Sequence, residues 1–239
     1  MLKYVFALVF FSIVPNINAQ DISASKLLDN AIAYHDPNDL WDLFQGKLFI
    51  TMSTPDNKKR VSEIALDLPK EYFKLTSTSD GVTMEQTLDG SNCTIKLNGS
   101  TDISEEEKKT HRISCERTEV MKNYYTYLYG LPMKLKDPGT NIDPVVTTRV
   151  FRGKTYLALK VTYDETVGKD TWYFYFNPTT FAMEIYQFFH DESKNDGEYI
   201  ILSGIENVAS IKMPKTRAWY YNKDDAYLGT DVLTRSAGL

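Results

Sequence analysis

Residue types able to do chemistry are few, and they fall in pairs. Two of the three histidines precede an aspartate, as His35-Asp36 and His190-Asp191. Together with Asp196 and Glu198, such pairs offer imidazole and carboxylate groups suited to a small metal site or to acid–base work. Adjacent residues are not at ligand spacing, however. His35-Asp36-Pro37 also fits a helix end, where a cationic side chain and a turn former are favoured. No metal site is predicted, and His35 and His190 stand only as polar candidates. The acidic run from Asp191 to Glu198 lacks the glycine of a calcium loop, because Asp196 fills the sixth position. Its Asp196-Gly197 pair reads instead as a turn between strands. Gly-x-Ser-x-Gly, His-Glu-x-x-His, phosphate-loop and dinucleotide patterns are absent. No catalytic residue and no cofactor is therefore assigned.

Cys93 and Cys115 are the only cysteines, and their meaning depends on compartment. Lys3 precedes a short apolar run, Tyr4 to Val14, which Pro15-Asn16 breaks ahead of Ala19. That order matches a cleavable secretory signal, and the run is too short to span a ~30 Å hydrocarbon core stably. Residues 1–19 read as a signal peptide cut after Ala19, and residues 20–239 as a single domain beginning at Gln20. The alternative is an uncleaved anchor. Export to an oxidising compartment predicts a disulfide contributing about 3 kcal/mol, with two buried free thiols as the alternative. The first residue after the cut is not cysteine, so the N-terminus is not lipidated. The net charge of -5 gives no electrostatic footprint for nucleic acid.

Periodicity supplies the elements that must position these residues. Leu27, Leu28, Ala31 and Ile32 recur at helical spacing behind Ser23 or Ser25, and the pattern stops at Asp36-Pro37. From Gly46 the period is two, with Leu48, Ile50, Met52 and then Ile64, Leu66, Leu68 alternating with polar residues. Breakers at Pro55-Asp56-Asn57, Pro69, Asp80-Gly81 and Asp89-Gly90 mark the hairpins of an antiparallel meander. Ser114 caps a predicted amphipathic helix over Glu116 to Tyr129, ended by Gly130-Leu131-Pro132. A second strand set is predicted at 145–151, 155–163, 171–176, 181–189, 199–205 and 217–221.

Several later strands are apolar on both faces. Trp172, Phe174 and Phe176 point one way, and Tyr173 and Tyr175 the other. Likewise Phe181, Met183, Ile185 and Phe189 oppose Ala182, Tyr186 and Phe188. A meander with one face in water shows polar alternate positions, so both faces here need cover. Helices can supply one cover, and the other face must line a closed core or a cavity. The chain has 16 tyrosines, whose hydroxyls need partners when buried. A cavity with a wet mouth accommodates them more readily than a dry core.

Two stretches carry a resemblance. Tyr124-Tyr125-Thr126-Tyr127-Leu128-Tyr129-Gly130-Leu131-Pro132 resembles the helix-then-proline segment of lipoprotein-sorting carriers. The text from Asp170-Thr171-Trp172-Tyr173-Phe174-Tyr175-Phe176 through Asn195-Asp196-Gly197-Glu198-Tyr199 to Ala218-Trp219-Tyr220 and Leu228-Gly229-Thr230-Asp231, with His35-Asp36-Pro37 at the start, is similar to an uncharacterised exported Gram-negative family. That family resembles the LolA/LolB-like outer-membrane lipoprotein-sorting carriers. The resemblance spans about Leu27 to Leu233, and the cysteine pair is not part of its pattern.

The resemblance implies an α+β fold: an antiparallel, strongly curved sheet, an incomplete lipoprotein-carrier-like barrel, with helices covering its concave face. It implies a periplasmic, monomeric, non-enzymatic binder or carrier of a hydrophobic or acylated small ligand. Outer-membrane lipoproteins and peripheral membrane contact are its candidate partners. The candidate cavity residues are Tyr124, Tyr125, Leu128, Trp172, Phe174, Tyr175, Tyr186 and Phe188. Two alternatives are an envelope interaction module of the same fold with a filled core, and a hydrolase using His35 or His190. Export with cleavage predicts that protein recovered from the periplasm has the intact mass of residues 20–239. A mass retaining residues 1–19 would refute that maturation.

Overall fold

Ser23 starts the first helix by accepting a hydrogen bond from the Lys26 amide. This helix, α1 (Ala24–His35), buries Leu27, Leu28 and Ala31, the predicted apolar stripe. The computed structural model describes residues 22–239, so the predicted signal segment and its cut lie outside the described residues. Five strands follow: β1 (Gln45–Ser53), β2 (Lys59–Asp67), β3 (Tyr72–Ser79), β4 (Val82–Asp89) and β5 (Asn92–Leu97). Two helices come next, α2 (Glu105–His111) and α3 (Cys115–Gly130). Ser104 and Glu107 close a capping box on α2, and Ser114 caps α3 through the Arg117 amide. The second strand set is β6 (Thr140–Ile142), β7 (Thr147–Phe151), β8 (Lys154–Tyr163), β9 (Thr171–Phe176), β10 (Met183–Phe189), β11 (Glu198–Val208), β12 (Ile211–Tyr221) and β13 (Tyr227–Ala237).

All thirteen strands join one antiparallel sheet in the order β5-β4-β3-β2-β1-β13-β12-β11-β10-β9-β8-β6, with β7 paired to β8. The β1–β13 pairing welds the two meanders at the centre, from Lys47 opposite Ala237 to Ser53 opposite Thr230. The outer strands do not meet, so the curved sheet remains an unclosed barrel.

Sequence periodicity missed β13 and the first half of β12. The inward positions of β13 are Gly229, Asp231 and Leu233, all buried. A glycine and a carboxylate at core positions erase the apolar alternation. Strand β10 corrects a second expectation. A register shift lies between Met183 and Ile185, so Met183 joins the face of Tyr186 and Phe188 rather than that of Ile185 and Phe189. A bulge adds one residue to a strand and reverses the facing of everything beyond it.

The double apolarity of the later strands has two covers. One face carries the main core, where α1 and α3 pack on Leu48, Ile64, Phe73, Leu159, Phe174, Phe176, Tyr186 and Ile200. The other carries a separate cluster of Tyr156, Ala158, Tyr173, Tyr175, Ile185 and Phe189, with Phe151 of β7 packed against it. Arg149 of β7 lies 3.9 Å above the Tyr173 ring, and Phe151 stands 5.7 Å from Tyr175. The β7–β8 hairpin thus supplies the second lid that the residue pattern demands.

His35-Asp36-Pro37 is a structural joint. The Asp36 carboxylate accepts from the amides of Leu40 and Trp41 at 2.8–2.9 Å, starting the turn that seats Trp41. His35 is fully buried, with Nδ1 donating to the Lys212 carbonyl at 2.7 Å and Nε2 accepting from the Met183 amide at 3.0 Å. These bonds demand the neutral ring, and burial pushes its pKa down to about 4. Because the folded value lies below the unfolded one, this contribution is complete above pH 6.5 and is lost as pH falls toward 4. Denaturant titrations should therefore show roughly 3 kcal/mol of acid destabilisation over that window from this residue, absent in His35→Gln. An equal acid slope in the variant would contradict the assignment.

Candidate functional site

The helix-covered face gathers most of the candidate residues. From α3, Tyr124, Tyr125 and Leu128 face it; from β9 and β10, Trp172, Phe174, Tyr186 and Phe188 meet them. Tyr175 is the exception, since it lies in the opposite cluster and strand alternation places it away from Phe174. Trp172 sits 4.9 Å from Phe188 and 5.9 Å from Phe174, and Tyr124 stacks on Trp219 at 6.4 Å. Trp219 and Tyr163 were not among the sequence candidates. Trp219 stacks on Tyr124, and Tyr163 shares a hydroxyl contact with Tyr127. Tyr125, Leu128, Phe174 and Tyr186 are buried, while Tyr124, Trp172, Phe188 and Trp219 are partly open.

The tyrosine hydroxyls are met unequally on the two faces. In and beside the second cluster three have acceptors: Tyr175 donates to Gln187 at 2.6 Å, Tyr173 to Glu192 at 2.6 Å, and the nearby Tyr199 to Asp225 at 2.7 Å. On the helix-covered side the buried hydroxyls of Tyr129 and Tyr186 have no protein hydrogen-bond partner. Burial raises both phenol pKa values, against the pull of Arg217.

A row of polar groups crosses the same face. Register aligns Arg60 of β2 with Met52 of β1, Met52 with Asp231 of β13, and Asp231 with Arg217 of β12. Arg217 is 1% exposed; it donates to the carbonyls of Pro214 at 3.0 Å and Leu128 at 3.2 Å, and lies 3.8 Å above the Tyr129 ring. Burial raises the Asp231 carboxyl pKa, and the charges of Arg60 and Arg217 restrain that rise. One carboxylate thus faces two guanidinium groups.

The open space seen beside this row lies under the N-terminal half of α3. A cavity of about 170 Å³ is walled by Leu75, Met84, Met121, Tyr125, Arg60 and Gln86. It shares Arg60, Ser77, Met84 and His111 with an outer cleft of about 330 Å³. Gln86 is fully buried, and neither its Oε1 nor its Nε2 has a protein partner. The sequence candidates from α3 reach this space only through Tyr125. Gln86 and Arg60 were missed because isolated polar residues in a strand read as solvent-facing.

The two histidines do not form one site. His35 is consumed by the joint described above. His190 is exposed and pairs with Asp170 at 2.7 Å, a hydrogen bond that raises its pKa. No cluster of three or more metal-ligating side chains occurs among the described residues. The Asp191–Asp196 loop is tied internally, through the Asp191 amide to Asp196 and the Asn222 side chain to the Phe188 and Asp196 carbonyls. At Gly197, φ is +78° and a Cβ would lie 2.2 Å from the Phe188 carbonyl, so glycine is required.

An unclosed antiparallel sheet with a helix across its inner face is the architecture of the lipoprotein-carrier-like proteins. A LolA superfamily protein from Nitrosomonas europaea superposes with TM-score 0.54 at 11% identity, over 91% of this chain and 94% of that one. A putative outer membrane lipoprotein-sorting protein domain from Vibrio parahaemolyticus gives 0.50 at 10% identity, over 88% and 91%. A DUF1329 family protein from Desulfovibrio piger gives 0.51 at 9% identity, over 90% and 92%. At such identities the likeness is one of fold. The chain itself belongs to a family of unknown function, DUF6503, whose model matches residues 3–235. No curated protein matches it.

The split between satisfied and unsatisfied hydroxyls is measurable. Tyr175→Phe abolishes a buried hydrogen bond and should cost about 1 kcal/mol in urea unfolding. Tyr186→Phe removes a hydroxyl with no partner and should be neutral or stabilising. The reverse ranking would mean that the Tyr186 hydroxyl is bonded in solution.

Proposed function

We propose that this protein is an exported, non-catalytic binder or carrier of an acylated or otherwise hydrophobic ligand. It acts in the periplasm as a monomer, and the acyl part is held between α3 and the inner face of the sheet. The observation that carries this reading is the cavity under α3, with the apolar side chains of Leu75, Met84 and Met121 in its wall. Each methylene moved from water to that wall is worth about 0.8 kcal/mol. The partly open rings of Tyr124, Trp172 and Phe188 continue the apolar surface along the same face. Lipoproteins of the outer membrane and the membrane surface itself are the natural donors and acceptors for such cargo. Among the described residues no helix is long and apolar enough to cross a membrane.

The packing of Phe174 and Tyr186, both fully buried, favours a second reading for the C-terminal half. There the aromatics form filled core, and the fold would act as an interaction module. Solvent extraction of purified protein followed by mass spectrometry separates the two. A carrier yields copurified acyl species and takes up a fluorescent fatty-acid probe. Met121→Trp fills existing space, so probe affinity should drop at least about tenfold with little change in melting temperature. Clean extracts and no probe uptake by the unmodified protein would give first place to the interaction module.

A further inference from the structure

The groove under the N-terminal half of α3 is more than apolar. Arg60, Arg112, Arg117 and His111 all line it, and the inner cavity has no acidic residue in its wall. The outer cleft adds one, Asp80. This concentration of three guanidinium groups stands in a chain whose net charge is -5. Among the described residues, none of the three arginines is in a salt bridge within 4.0 Å. Arg60 acts on the interior carboxylate of Asp231, which is shared with Arg217. Arg60 Nε is buried without a hydrogen-bond partner, as are both polar atoms of Gln86 beside it. Buried donors without partners cost about 1–3 kcal/mol each unless something fills them.

We propose that this groove is a headgroup site for an anionic amphiphile. Arg60 and Gln86 would hold a carboxylate or phosphate oxygen from the inside, and Arg112 and Arg117 would approach it from the mouth. Its hydrocarbon would lie on Leu75, Met84 and Met121. Guanidinium groups suit this role, because their planar donors match the oxygens of carboxylate and phosphate and they stay charged. Gln86 adds a donor deep in the wall, where water has little access. The apolar half of the wall argues for an amphiphile rather than a free inorganic anion. This inference rests on the carrier reading and narrows it from any acyl chain to one bearing a negative head.

The test compares a fluorescent long-chain fatty acid with its methyl ester, which has the same chain and no charge. The full mature protein should bind the acid at least about tenfold more tightly than the ester, and the ratio should shrink as ionic strength rises. Arg60→Leu and Gln86→Leu should each pull the ratio toward one by weakening only the acid. Should Arg60→Leu fail to fold, Arg117→Gln at the exposed mouth should still lower the ratio. Millimolar inorganic phosphate should not displace the probe. Equal binding of acid and ester would overturn the headgroup site while leaving the carrier reading intact. Displacement by phosphate would overturn the amphiphile in favour of a free-anion site. Binding of neither probe would sink the carrier reading as well.

Discussion

A thirteen-stranded sheet that never closes has an inner face it cannot bury by itself, and everything else in this molecule answers that constraint. Two helices answer it, α1 and the longer α3, and α3 is held at both ends. At its start, Cys115 is joined to Cys93 of β5 by a disulfide. At its last turn, the buried Arg217 of β12 donates to the Leu128 carbonyl and lies against Tyr129. Just beyond, Gly130 lets the chain pass Trp41, where a Cβ would come within 2.4 Å of the indole. The N-terminal anchor reaches the first meander and the C-terminal anchor the second. The helix therefore bridges the two halves that β1 and β13 join in the sheet.

The two halves are packed differently, and that difference carries the functional reading. Under the C-terminal half of α3, aromatic rings fill the space between helix and strands, with centroid separations of 4.9–6.4 Å. Under its N-terminal half the wall changes to arginine, glutamine, serine and methionine, and a cavity opens. Close-packed interiors leave few voids, and unpartnered polar groups in a void are costlier still. Their coincidence at one place, beside the helix that covers the inner face, is what the proposed binding site rests on. The disulfide lies at the same end, so the helix start beside the groove stays tied to β5 while Met121 and Tyr125 face the space.

The opposite face illustrates how polar and apolar demands are met without a ligand. Tyr173 and Tyr175 have donors matched to Glu192 and Gln187, and the nearby Tyr199 to Asp225, with arginines of β7 and its turn over the rings. The expectation that so many tyrosines require a wet cavity fails there, because strand neighbours and an adjacent turn provide acceptors. On the helix-covered side the hydroxyls of Tyr129 and Tyr186 are left without a protein partner, although aromatic rings fill the space around them.

Local pattern carried much of this architecture. Capping serines at 23 and 114, the period-two alternation of β1 and β2, the turn residues between strands and the apolar faces of β9 are all decided by neighbours within a few positions. They were legible for that reason, and so was the resemblance to the carrier fold. Facing and pairing across long separations were not. The bulge in β10 moved Met183 to the other face, and β13 hid behind an inward glycine and aspartate. Tyr175 left the candidate site because alternation separates it from Phe174, though only the assembled sheet shows which face the helix covers. Arg60, Gln86, Asp231 and Arg217 are single polar residues on different strands, without spacing that could announce them. They become one constellation only when register brings β4, β2, β13 and β12 under the same helix, since burial and shared charge are properties of that juxtaposition and not of any segment.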